Sequence, residues 1–136
     1  MTTTHFETLT EGRAHLKDLL DAAQEGRPAS LRRDSLRAAI VDAARLRANL
    51  TESRRANAQV VAEADGWSVL LPGLPIAADG ATLDEALDET VDALREYAQD
   101  WSDRLLHATN HARNWDLVQI IDLSTDDELR VWLTGQ

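Results

Sequence analysis

The sequence predicts an α+β chain built from two small modules, and three observations lead there. The stretch DGWSVLLPGLP at residues 65–75 sets Asp65-Gly66 between two apolar runs and continues with Trp67, Val69 and Leu71 at period two. Asp-Gly suits the centre of a type I′ turn, which needs positive φ at both central residues, so the pattern predicts a β-hairpin. Leu83, Leu87, Val91, Leu94, Tyr97, Ala98, Trp101 and Leu105 then form one stripe spaced by threes and fours, the face of a long helix. Between the two halves, TESRRAN at 51–57 is polar and without apolar period, which marks a linker. The expected domains are residues 1–52 and 58–136.

The first module reads strand, helix, strand, strand, helix. Thr8 and Glu11 have capping-box spacing, with Thr10 a competing cap, and Leu9, Leu16, Leu19, Leu20 and Ala23 recur at helical intervals. Gly26 and Pro28 end that helix. Residues 29–33 and 36–41 read as short strands joined at Asp34-Ser35, and a second helix runs from about Asp42 to Leu50.

In the second module Val60, Val61 and Ala62 lead into the hairpin, and Pro72-Gly73 suits the central positions of a type II turn. Residues 74–78 form a third extended piece ending at Asp79-Gly80. Thr82 and Glu85 cap the long helix. That helix is expected to cover one face of the sheet, with Trp67 largely buried against it near Leu87 and Val91. Two further helices close the chain. One carries Trp115, Val118 and Ile121; the other starts at Ser124 or Thr125 and carries Leu129, Trp132 and Leu133.

The 136 residues are 43% hydrophobic but only 4% aromatic, so the core must be largely Leu, Val, Ile and Ala. The absence of cysteine excludes disulfides and thiolate metal sites and suits a reducing compartment. No apolar run approaches the roughly 18 residues of a membrane span, and the start MTTTHFETL lacks the basic and apolar regions of a signal peptide. A soluble cytoplasmic protein without a membrane partner is expected. The net charge of −10 is uneven: residues 1–57 carry ten Lys and Arg against eight Asp and Glu, while residues 58–136 carry four against sixteen. Such asymmetry suits two partners of opposite preference, or two differently decorated surfaces.

No nucleophile–base pair, metal cluster or phosphate loop stands out, so an enzyme is not expected and no cofactor is implied. His107 and His111 have the i, i+4 spacing of a zinc pair, but no third ligand accompanies them and surface histidines are the simpler reading. Asp84, Glu85, Asp88, Glu89, Asp92 and Glu96 lie opposite the apolar stripe, either as a solvated face or as a surface that steers a basic partner. Arg13 falls in the first turn of its expected helix, where a cation opposes the macrodipole, which suggests a purpose other than stability. Arg32 and Arg33 sit at a strand end beside a turn, as arginines that contact phosphates often do, or simply as solvated side chains.

Two resemblances rest on these residues. The segment LTEGRAHLKDLLD at 9–21, then Gly26-Arg27-Pro28 and the strand pair through Val41, resembles the prevent-host-death (Phd/YefM) antitoxins over about residues 3–50. It departs from that pattern at Gly12, where Ala is usual, and at Asp34-Ser35, where a Gly-Lys turn is usual. This likeness implies a β-α-β-β-α homodimer that binds palindromic operator DNA, with Thr10, Arg13, Arg32 and Arg33 at the DNA. The series DGWSV, PGLP and GATLDEAL from Val60 to about Trp101 resembles the HicB-type antitoxin domain, a degenerate RNase H-like ββ(β)α unit without catalytic carboxylates. The usual further strand is not evident, and helices replace it.

Together the resemblances imply an antitoxin of a type II toxin–antitoxin pair that represses its own operon. Its basic toxin would bind Glu85, Asp92 and Glu96 with Trp115 and Trp132 as anchors, although Trp115 and Trp132 could instead complete the core. A dimeric protein-interaction module without DNA binding is the alternative.

Overall fold

The computed structural model describes residues 4–135; residues 1–3 and 136, the outer ends of the two expected domains, lie outside them. The elements run β1 (Thr4–Phe6), α1 (Leu9–Ala14), α2 (Leu16–Glu25), β2 (Ala29–Arg33), β3 (Leu36–Ala39), α3 (Ala43–Ser53), β4 (Gln59–Glu63), β5 (Gly66–Leu71), β6 (Ile76–Gly80), α4 (Leu83–Asp100), α5 (Trp115–Leu123) and α6 (Asp126–Thr134). Two three-stranded sheets result, ordered β1-β2-β3 and β4-β5-β6. The chain separates into two compact units, Met1–Leu46 and Arg47–Gln136.

In the first unit β1 pairs parallel to β2 and β2 pairs antiparallel to β3. Thr8 is the N-cap, its hydroxyl accepting the Glu11 amide at 3.1 Å, while Thr10 lies inside the helix. The single helix expected here is two. His15 leaves helical geometry at φ −117°, ψ 30°, and its ring stacks on Phe6 with centroids 4.8 Å apart. The core is small: Leu19, Ala22 and Ala29, flanked by Phe6, Leu31 and Ile40. Gly12 is buried against Leu31, and a Cβ there would lie 3.1 Å from Leu31 Cδ1. Its departure from the family's usual alanine therefore lets α1 sit close on β2.

The boundary between the units falls within α3, which Asp42 starts by accepting the Arg45 amide at 3.0 Å. The helix runs to Ser53, so the first part of the expected linker is helical. The rest is tied down. Arg54 donates to Asp116 at 2.5 Å and to Asn114 at 3.2 Å, and its carbonyl accepts the Trp132 indole N–H at 2.9 Å.

The second unit holds the expected hairpin, with a different turn. Glu63 pairs with Gly66, so Ala64 and Asp65 form the connection, and neither has positive φ. Gly66 (φ 151°) opens β5 instead, where a Cβ would collide with the Gly80 carbonyl oxygen. Pro72-Gly73 turns as expected: Gly73 has φ 80° and the Leu74 amide donates to the Leu71 carbonyl at 3.2 Å. The third strand begins at Ile76 and includes Asp79-Gly80.

Thr82 caps α4, while the Glu85 carboxylate accepts the Ala81 amide. The helix buries Ala86, Leu87, Thr90, Val91, Leu94, Tyr97 and Ala98 against Val69, Leu71 and Ile76, and ends in a π-helical turn at Trp101–Leu105. Trp67 is half-buried, not a core residue. It pairs with Ala62 of β4, a strand exposed along its whole length, so its inner face lacks cover on that side. The last two helices bury Leu117, Val118, Ile120, Ile121, Leu129, Trp132 and Leu133 and complete the core of this unit.

Candidate functional site

The basic candidates gather on the β2–β3 hairpin and the helix beside it. The two-residue connection Asp34-Ser35, with Asp34 left-handed at φ 55°, sets Arg33 opposite Leu36 and Arg32 opposite Arg37. Two arginines directly across a strand pair destabilise the bare hairpin, since like charges in that position repel. Glu7, paired with Arg32, offsets part of that repulsion, and an anionic partner would remove the rest. Arg37 was not among the sequence candidates, yet counting outward from Asp34-Ser35 finds it.

Thr10 and Arg13 are exposed on α1, which packs on β2 at Gly12. Because α1 ends at Ala14, Arg13 lies in its last turn, not its first. A cation there complements the macrodipole, so its position no longer argues for function. Arg33 is exposed, whereas Arg32 is held by Glu7 at 3.3 Å. Glu7 also accepts from His5 Nε2 at 2.8 Å, and Nδ1 of the same ring is hydrogen-bonded to the Ser30 hydroxyl at 2.7 Å. The His5 hydrogen bond, and less so Arg32, holds the Glu7 carboxyl below the usual carboxylate range.

The acidic candidates lie on α4. Glu85, Glu89, Asp92 and Glu96 follow one another at intervals of four, three and four, which places them on one exposed stripe. Their neighbours Asp84 and Asp88 are occupied by Arg130, at 2.9 Å for Asp84. Among the described residues no cation lies within ion-pair distance of Glu89, Asp92 or Glu96, while Glu85 is engaged in capping. The stripe therefore offers free carboxylates at its centre.

The two tryptophans divide. Trp115 is 51% exposed at the start of α5, whereas Trp132 is 8% exposed and its indole N–H is already used by Arg54. Trp132 is a core residue and cannot anchor a partner at the surface. Of the two histidines read as surface residues, His111 is engaged in packing. His111 Nδ1 is hydrogen-bonded to the Tyr97 hydroxyl at 2.8 Å, and Tyr97 accepts from Asn114 at 2.9 Å, so this histidine belongs to a packed network. Among the described residues no group of three or more His, Asp or Glu side chains could hold a metal ion. None of the described helices is long and apolar enough to cross a membrane.

Comparison with known proteins adds to this geometry. The model of a family described as PHD-like, antitoxin of toxin–antitoxin, RelE/RelB, TA system, matches residues 3–133. No curated protein matches the chain. The fold is similar to that of a crystal structure of an antitoxin part of a proposed toxin/antitoxin system from Syntrophomonas wolfei subsp. wolfei. The TM-score is 0.77 at 19% identity, over 97% of this chain and 96% of that one. At that identity the likeness concerns the fold alone, but the family match spans nearly every residue, from β1 to α6. The chain belongs to the PHD-like family of antitoxins of RelE/RelB toxin–antitoxin systems.

Proposed function

We propose that this antitoxin both neutralises its toxin by direct binding and represses its own operon, as a non-catalytic cytoplasmic protein. The N-terminal unit, read as Phd/YefM-like, would dimerise and hold operator DNA; the C-terminal unit, read as HicB-like, would mask a basic toxin. The observation that carries the DNA reading is the Arg32–Arg37 cross-strand pair, with Arg33 next along the strand at the turn, an arrangement of like charges that Glu7 offsets only at Arg32. Exposed Leu9, Leu16, Leu20, Leu36 and Val41 on the same unit support a self-association surface. Two-fold symmetry then favours a palindromic site with two equivalent half-sites. The toxin reading rests on the α4 stripe Glu85, Asp92 and Glu96, with Glu89 inside it and exposed Trp115 as the aromatic anchor.

The test has two arms. In gel shifts on the chain's own promoter at several salt concentrations, alanine at Arg32, Arg33 and Arg37 together should lower affinity and flatten the log–log salt slope by about one unit per lost phosphate contact. Unchanged binding would leave a dimeric interaction module that does not use this hairpin on DNA. In co-expression with the neighbouring gene, reversing Glu89, Asp92 and Glu96 to lysine should abolish growth rescue while the antitoxin stays folded. Full rescue would remove the α4 stripe from the toxin surface.

A further inference from the structure

β4 is a free edge strand of the second sheet. All five of its residues are exposed, with Val60 at 39% and Val61 at 51%. Its register with β5 sets Val60 opposite Val69 and Val61 opposite Ser68, so one valine points to each face of the sheet. Only one of its edges is used, because β4 stands at the end of the order β4-β5-β6. Natural edge strands are blunted by lysine, proline or a bulge, or are covered. The opposite edge follows that rule, since β6 follows Pro75, carries Asp79 and packs under α4. On β4 the sequence Gln-Val-Val-Ala-Glu has no lysine, proline or glycine, and its one charge is at the end, where Glu63 accepts the Ser68 hydroxyl at 2.8 Å.

We infer that β4 pairs antiparallel with β4 of a second copy of this chain, about a two-fold axis at Val61, joining two three-stranded sheets into one of six. The strand is self-complementary in that register. Val61 meets Val61, Val60 meets Ala62, and Gln59 meets Glu63 of the second copy, so an amide donates to a carboxylate at both ends. No like charges face each other. Residues directly opposite share a face, so Val60 and Ala62 of both copies fall on the side where α4 packs, beside the half-buried Trp67 of each. A partner there supplies the cover that Trp67 lacks. A two-fold pairing uses the same patch twice and closes on itself, which prevents an open-ended stack of edges.

The chain has no cysteine, so one introduced thiol reports this register directly. Full-length Val61→Cys, purified reduced and then mildly oxidised, should convert mostly to a disulfide-linked dimer. Leu70→Cys, exposed but one strand inward, should remain uncrosslinked. Val60→Cys and Ala62→Cys should each crosslink poorly alone and efficiently when mixed. Adding Val61→Lys to the Val60→Cys and Ala62→Cys chains should keep their thermal midpoint and abolish the mixed crosslink. The inference is overturned if Val61→Cys stays uncrosslinked, if Leu70→Cys crosslinks equally, or if Val61→Lys leaves the mixed crosslink intact. Loss of toxin binding in Val61→Lys with the mixed crosslink intact would assign the edge to the toxin and equally overturn it. None of these position-specific crosslinks depends on DNA contact or self-association by the first unit.

Discussion

Arg54 and Asp116 stand 62 residues apart and are joined guanidinium to carboxylate at 2.5 Å. The same guanidinium reaches Asn114, Asn114 donates to Tyr97, and Tyr97 is hydrogen-bonded to His111, so one line of hydrogen bonds ties the end of α3 to α4 and α5. Such networks are worth most when every member is satisfied, and among the described residues no buried side-chain polar atom lacks a partner. A segment that looks like a linker in sequence is thus a strap that holds the C-terminal helices.

Arg54→Ala should therefore destabilise the second unit although Arg54 lies outside its apolar core. Both side chains of the pair are a little over a quarter exposed, and hydrogen bonds to charged groups contribute about 1.5–3 kcal/mol. Arg54→Lys should recover less than half of the loss, because an ammonium cannot span Asn114 and Asp116 as the planar fork does. Urea unfolding measures both. A lysine variant as stable as the wild type would show that only the charge matters.

The two tail tryptophans should respond oppositely. Trp132→Ala removes a core side chain and should cost about 3–5 kcal/mol, whereas Trp115→Ala should change stability by less than about 0.5 kcal/mol. Binding should reverse the order. If Trp115 anchors the toxin, its alanine variant loses on the order of 2 kcal/mol of affinity, tenfold or more. Calorimetric titration with the purified toxin decides it, and unchanged affinity would return Trp115 to the solvated surface.

Local signals were legible and long-range ones were not. The α4 stripe and the caps at Thr8, Thr82 and Thr125 depend on residues within one or two turns, so periodicity and spacing find them. The break at His15 depends on stacking over Phe6, and the shifted hairpin turn on Gly66 meeting the Gly80 carbonyl. Neither contact has a local signature. Trp115 and Trp132 look alike because both lie on amphipathic helices. Which one turns inward follows from helix phase, and in α5 the inward positions belong to Leu117, Val118, Ile120 and Ile121. Arg37 belongs to a different class, since register alone would have exposed it.

Acid should weaken the start of α6. Glu128 accepts the Thr125 amide at 2.9 Å and pairs with Arg47 at 3.3 Å. The backbone hydrogen bond, then Arg47, holds its carboxyl below the usual range despite some desolvation. A carboxyl lowered in the folded state contributes stability that is complete above the ordinary glutamate pKa of about 4.3 and is lost as pH falls through the lowered value. Glu128→Gln keeps a capping box without the charge. Wild type should exceed this variant near neutral pH and lose that advantage at acid pH. Melts across the range that keep a constant difference would assign the stabilisation to shape, not ionisation.

Glu7 supplies the sharpest check on the basic hairpin. Its carboxylate holds Arg32 at 3.3 Å while accepting from His5, so an incoming phosphate must compete for that guanidinium. If Arg32 contacts operator DNA, Glu7→Gln should strengthen binding, by no more than about several-fold because an exposed ion pair is weak. The salt slope should stay unchanged, because the number of phosphates contacted is the same. Arg32→Ala should instead weaken binding and reduce the slope by about one unit. The double variant separates the two roles: once Arg32 is gone, Glu7→Gln should lose most of its effect. If Glu7→Gln leaves affinity unaltered while Arg32→Ala weakens the fold, Arg32 serves the β1–β2 packing through Glu7, and the DNA contact passes to Arg33 and Arg37.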